Sequence, residues 1–152
     1  MQRLLLLFLL GAALPGCTDL VQLSVDSADG GDASGTLHAH LYGIDAFIAD
    51  ASATRVATIA REVSGVPAEL SLDLPDDLVS LIDEDVRPAD PEDASFYFVI
   101  YLDSDGDGEV CDGEYWASSF DHAELSWSGP QPPASIELDL DPWDGVGCRA
   151  IE

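Results

Sequence analysis

The sequence predicts an all-β fold, a single two-sheet β-sandwich of about seven strands. Three observations carry that expectation. A chain of 152 residues, 47% hydrophobic and 23% charged, suits one folded domain with its own core. Its apolar segments are short and alternate with period two. The connectors between them are dense in Gly, Pro, Asp and Ser, residues that close turns.

The segments follow in order. Val21, Leu23 and Val25 alternate with Gln22 and Ser24 and predict a strand. Asp26 to Gly35 is polar and glycine-rich, a loop or part of a tether. Thr36 to Tyr42 alternates again, with Leu37, Ala39 and Leu41 on one face and His38, His40 and Tyr42 on the other. In Ala46 to Val63 the alanines permit a helix, but Thr54, Val56, Thr58, Ile59 and Val63 favour a strand over the second half. Glu69 to Leu74 alternates cleanly. Pro75-Asp76-Asp77 resembles a helix start, and Leu78, Leu81 and Ile82 at helical spacing predict a short helix. Asp83 to Asp93 is an acidic loop. Phe96 to Leu102 is aromatic and β-branched, the strongest strand and the expected centre of the sheet. Glu124 to Ser128 and Ile136 to Leu140 complete the set before a turn at Pro142 to Gly147. Such a count and spacing imply an immunoglobulin-like or transthyretin-like sandwich.

The N-terminus reads as an address. Met1-Gln2-Arg3 is positive, Leu4 to Leu10 is an apolar run too short to span a bilayer, and Leu14-Pro15-Gly16-Cys17 follows. This resembles the lipobox of bacterial lipoproteins, with Cys17 as the lipidation site; Pro15 departs from the small or aliphatic residue usual there. The resemblance implies a signal peptide over 1–16, an anchor, tether and possible first strand over 17–35, and the β-sandwich domain over 36–152. It also implies a location in the bacterial cell envelope, at the outer membrane or cell surface. An ordinary secretory signal cut elsewhere is the alternative. Three cysteines are an odd number for an exported chain. With Cys17 lipidated, Cys111 and Cys148 remain as one expected disulfide.

Charge excludes several roles. Thirty acidic residues face five arginines, with no lysine, for a formal charge of −25. Nucleic acid needs a basic face and is excluded as a partner; anionic lipid headgroups are disfavoured for the same reason. Cations, neutral ligands and other proteins remain, although adaptation to salt explains the acidity equally well.

Directly after the strongest strand comes Asp103-Ser104-Asp105-Gly106-Asp107-Gly108-Glu109-Val110-Cys111-Asp112-Gly113-Glu114. This resembles the twelve-residue calcium loop of the EF-hand family. Asp103, Asp105 and Asp107 fall at positions one, three and five, and Gly108 at the sharp turn of position six. Glu109 at seven corresponds to the backbone-carbonyl ligand, Val110 to the apolar eighth residue, and Glu114 to the bidentate carboxylate at twelve. Calcium is the implied cofactor, because a hard ion wants many oxygens and a curled loop points alternate residues inward. Cys111 at position nine offers no oxygen, and a β segment enters where the family has a helix, so the sensor function is not implied. A plain Asp/Gly turn is the competing reading. Asp139, Asp141 and Asp144 are candidates for a weaker second site.

His38 and His40 share a strand face and, with His122, suggest a zinc- or copper-binding protein or metal enzyme as an alternative; packed or solvent-facing histidines are the simpler reading. Trp116, Trp127, Trp143, Tyr115 and Tyr42 suggest a polysaccharide-binding or surface-protein-binding (adhesion) face, against which stands ordinary packing. No nucleophile elbow, C-x-x-C or phosphate loop occurs in the sequence. The sequence therefore implies a non-catalytic, lipid-anchored envelope protein with a structural calcium site, serving as a surface binding or structural module.

Overall fold

The structure is a computed structural model that describes residues 19–30, 33–48 and 51–151. The signal-peptide and lipobox residues, including Cys17, lie outside the described residues. The described residues form ten strands: β1 (Asp19–Ser27), β2 (Gly35–Asp45), β3 (Thr54–Val63), β4 (Ala68–Leu74), β5 (Ala94–Asp103), β6 (Glu109–Val110), β7 (Tyr115–Ser118), β8 (Ser126–Ser128), β9 (Ser135–Pro142) and β10 (Arg149–Ala150). No α-helix occurs among the described residues; three single 3-10 turns punctuate the connectors.

The chain is all-β, as expected. Eight strands form one mixed sheet in the order β3-β2-β5-β7-β9-β1-β4, with β8 also beside β5, and β6 pairs with β10 as a separate ribbon. Only β1 and β9 run parallel; the other pairings are antiparallel. The two ends of the sheet, β3 and β4, are neighbours in sequence and meet across the short connection at 64–67, where Val63 and Val66 are buried. The sheet therefore curls almost into a barrel around one core.

Alternation fills that core. Val21, Leu23 and Val25 from β1 meet Leu37, Ala39 and Leu41 from β2, Leu72 and Leu74 from β4, and Ile136, Leu138 and Leu140 from β9. Phe96, Phe98, Ile100 and Leu102 of β5 lie at its centre and are fully buried. β1 lies between β9 and β4 with its three valine and leucine side chains in this core, so it is an integral strand that begins at Asp19. The helix expected after Pro75 is one 3-10 turn, Val79–Leu81. Leu78, Val79 and Ile82 point into the core while Leu81 faces solvent, so the tighter turn buries Val79 in place of the Leu81 that helical spacing would bury.

β5 is buried on its second face as well near its end. Tyr101 points away from the core yet is covered, and its hydroxyl donates to the Gly108 carbonyl of the following loop. That loop and the β6–β10 ribbon lie over the outer face of β2 and β5. The Cys111–Cys148 disulfide is formed as expected and fastens the C-terminal segment there. Arg55 Nη1 adds a tie by donating to the Ile151 carbonyl at 3.4 Å.

Candidate metal centre

The loop begins where β5 runs out. Asp103 is the last residue of that strand and only 4% exposed. Its Oδ1 accepts from the Gly106 amide at 2.6 Å and its Oδ2 from the Gly108 amide at 2.9 Å. Burial opposes ionisation of this carboxyl. The Gly106 and Gly108 amides, with help from His38 and the Asp107 amide, outweigh burial and hold it below the usual carboxylate range. Gly106 and Gly108 have φ of 83° and 81°, the left-handed region that a side chain disfavours, and this curls the chain tightly enough for both amides to reach one residue.

Glu114 closes the loop from the other end and is 5% exposed. Its Oε1 accepts from the Ser104 amide at 2.5 Å and its Oε2 from the Cys111 amide at 2.8 Å. Carboxylate oxygens of Asp103, Asp105 and Glu114 lie within 4.8 Å of one another. Asp107 is placed differently. Its Oδ1 accepts from the Glu109 amide at 2.8 Å, and its carboxylate gathers with those of Glu109 and the Cys111 and Cys148 sulfurs in a second group. Sulfurs joined in a disulfide carry no thiolate charge and are poor metal ligands. Of the side chains expected to ligate, the structure thus brings three together and turns Asp107 towards its neighbour.

Two buried carboxylates a few ångströms apart repel unless a cation sits with them. No arginine ion pair with a carboxylate occurs among the described residues, and the nearest ionisable base is His38, whose Nε2 is 3.7 Å from Asp103 Oδ2. An oxygen-only donor set of this kind suits a hard divalent ion. Asp103, Asp105 and Glu114 are the residues that would hold such an ion.

No family model matches this chain, and no curated protein matches it. Among solved structures, an alternative pilotin from the type II secretion system of Vibrio cholerae aligns with a TM-score of 0.38 and 17% sequence identity, covering 81% of this chain and 93% of that one. A likeness of this degree carries no functional argument.

Two residues that sequence reasoning did not connect with the loop support it from β2. One is His38, whose ring stacks on Tyr101 with centroids 4.7 Å apart while reaching Asp103. The other is Gly35. A Cβ built there would sit 2.2 Å from the Asp103 carbonyl oxygen and 2.9 Å from Ser104 Cα, so the strand passes the loop's first residue with no room for a side chain. Gly35→Ala is expected to cost about 1–2 kcal/mol by overpacking against backbone that cannot yield. Chemical denaturation of the variant checks this.

The other candidates find separate partners. His40 Nδ1 lies 3.2 Å from Arg55 Nη1, which donates to it and leaves the ring proton on Nε2, a buried atom with no partner. Burial first, then the Arg55 and His38 charges, depress its pKa to about 4. A guanidinium beside the ring also disfavours a second cation. His122 is fixed between Asp141 Oδ2 at 3.0 Å and Glu124 Oε1 at 3.1 Å; burial lowers its pKa, but these two hydrogen bonds and charges raise it overall. No convergent metal-ligand group among the described residues includes a histidine, nor any two of Asp139, Asp141 and Asp144. Trp127 packs against Phe96 and Phe98 at the core, Trp143 meets Trp116 edge-on, and Tyr115 donates to Asp29. Tyr42 stacks on Tyr97 at the outer face.

The His40 environment sets a pH dependence. With a folded pKa below the unfolded value of about 6.5, the unfolded chain binds more protons between those values. Stability from neutral His40 is therefore full above pH ~6.5 and falls as pH drops towards 4. His40→Gln is expected to lose less stability than the parent between pH 7 and pH 4.5, as read by urea unfolding at each pH.

Proposed function

We propose that this protein is a lipid-anchored, non-catalytic module of a bacterial cell envelope, in which a structural calcium ion orders the 103–114 loop. The observation that carries the calcium reading is the convergence of Asp103, Asp105 and Glu114, two of them buried, without a cationic side chain of Lys or Arg in ion-pair contact among the described residues. These three side chains would hold the ion. The Glu109 carbonyl is assigned by resemblance to the EF-hand loop, and water fills the direction that Cys111 leaves without an oxygen. Extracellular calcium modules bind with dissociation constants of about 0.1–1 mM. The ion's work is electrostatic: it offsets carboxylate repulsion and stiffens the surface between β5 and β7.

The finer architecture belongs to the same reading. β9 pairs with β1 along Ser135–Leu140 but with β7 only at Asp141 and Pro142. That register supports a β-sandwich, with β4-β1-β9 as one layer, β3-β2-β5-β7 as the other, and β9 turning the corner between them.

The anchor reading rests on Leu14-Pro15-Gly16-Cys17. Lipid on Cys17 would leave almost no tether, since β1 begins at Asp19. The domain would lie directly on the bilayer, where its acidic surface repels anionic headgroups and divalent cations relieve the repulsion. Cys17→Ser is expected to move the protein from the membrane fraction to the soluble fraction and to abolish metabolic labelling with palmitate. Retention of both label and membrane association removes the anchor from the account.

A further inference from the structure

The second group of side chains in the 103–114 loop differs from the first in containing sulfur. The calcium reading leaves two of its features unused. Asp107 turns away from Asp103, Asp105 and Glu114, and a cysteine stands at position nine, where the EF-hand pattern puts an oxygen. Strand geometry explains how the four residues of this group meet. Glu109 and Val110 pair with Ala150 and Arg149, and one further step of the same antiparallel register sets Cys111 opposite Cys148. Side chains two residues apart share a face, so Glu109 and Cys111 project together with Cys148 across from them. Asp107 comes in from the loop, its Oδ2 3.7 Å from Cys111 Sγ. The ligand atoms of Asp107, Glu109, Cys111 and Cys148 all lie within 4.8 Å of one another. Neither carboxylate has a basic partner in ion-pair contact among the described residues.

As a disulfide the cysteine pair offers a metal no charge, but reduced it offers two thiolates. Cys148 is exposed, so an external dithiol can reach it. The reductant's thiolate attacks Cys148 Sγ, forming a mixed disulfide and releasing Cys111 as the thiolate. Its second thiol then displaces Cys148 and the reductant leaves as the oxidised dithiol, two electrons having passed to the protein. We propose that the reduced pair, together with Asp107 and Glu109, is a zinc site, the ion taking the place of the two thiol protons. Thiolates select zinc over the hard ions calcium and magnesium. Two sulfurs and two carboxylate oxygens complete a four-coordinate set. With Zn–S of about 2.3 Å and Zn–O of about 2.0–2.2 Å, tetrahedral donors stand roughly 3.3–3.8 Å apart. The carboxylates close in slightly to reach that spacing, and the sulfurs part, which reduction permits. Zinc then bridges the ends of β6 and β10 as the disulfide does, and the C-terminal segment stays fastened in both redox states.

The test uses the exported chain carrying Cys17→Ser, so that only this pair reports. The protein is reduced with a dithiol, freed of reductant without air, and titrated with cobalt(II), a coloured stand-in for zinc. The reduced chain is expected to develop a sulfur-to-cobalt charge-transfer band and the strong visible bands of tetrahedral cobalt. Both saturate at one cobalt per chain and are bleached by zinc, and the oxidised chain develops neither. Asp107→Asn with Glu109→Gln keeps the thiolate band but is expected to weaken zinc binding by at least the ~10–100-fold that loss of an outer-shell partner costs. The same curves are expected with calcium in excess, so the proposal stands or falls apart from the calcium reading. In the zinc-loaded reduced chain, ¹⁵N–¹H correlation is expected to show the native amide pattern of β2 and β5. The proposal is overturned if the reduced chain binds zinc no tighter than the oxidised one, or if one metal is shared between two chains. It is also overturned if the carboxylate substitutions leave the affinity unchanged, or if zinc binds only a chain that has lost the native amide pattern.

Discussion

Replacing Cys111 and Cys148 together by serine is expected to lower the unfolding free energy by about 4 kcal/mol. The bond closes a loop with a sequence separation of 37 residues, and the chain-entropy relation for that length gives this value. The loss has a structural side too. Cys111 sits inside the acidic loop, where its amide donates to Glu114 Oε2, and Cys148 precedes the strand that pairs with Glu109 and Val110. Freeing the pair therefore releases the C-terminal segment from the outer face and loosens the loop. Urea unfolding of the double variant checks the stability, and hydrogen exchange at Glu109 and Val110 checks the release. A double variant as stable as the parent would show that the bond is incidental.

The second large effect concerns the loop carboxylates. With calcium at ten times its dissociation constant, binding is expected to stabilise the parent by about 1.4 kcal/mol, which raises the melting temperature by about 4 °C for a domain of this size. Asp103→Ala with Asp105→Ala should remove that rise entirely. It should also cost about 1.5–3 kcal/mol for the charge-assisted amide bonds that Asp103 accepts from Gly106 and Gly108. Melts with calcium and with chelator separate the two contributions. A double variant that keeps the parent's calcium-dependent rise places the ion elsewhere on the acidic surface.

Much of the loop is legible in the sequence because its acidic residues are local. Asp103, Asp105, the two glycines and Glu114 lie within twelve residues, and their spacing states the geometry before any long-range contact is known. His38 and Gly35 are not legible in that way. Their link to Asp103 comes from the β2–β5 register, which pairs Thr36 with Asp103, and pairing partners so far apart leave no local signal. Strands were readable where one face is buried, as in β1, β4 and β9. β7 escaped because Tyr115-Trp116-Ala117-Ser118 does not alternate, its outer face being partly covered by the C-terminal segment. β6 and β10 are two residues each, too short for a period. The apolar spacing of Leu78, Leu81 and Ile82 cannot distinguish a helix from one 3-10 turn. Likewise, composition supplies aromatic rings without sorting Trp127 to the core from Trp116 beside the C-terminal segment.

The most direct test of the calcium account follows backbone amides by ¹⁵N–¹H correlation during a calcium titration. Gly106 and Gly108 donate to Asp103, so ion capture by that carboxylate must change their environment. The account predicts that these two amides show the largest shifts and that they saturate together at one calcium per chain. Small, unsaturated shifts scattered over the acidic surface, with both glycines unmoved, would contradict it.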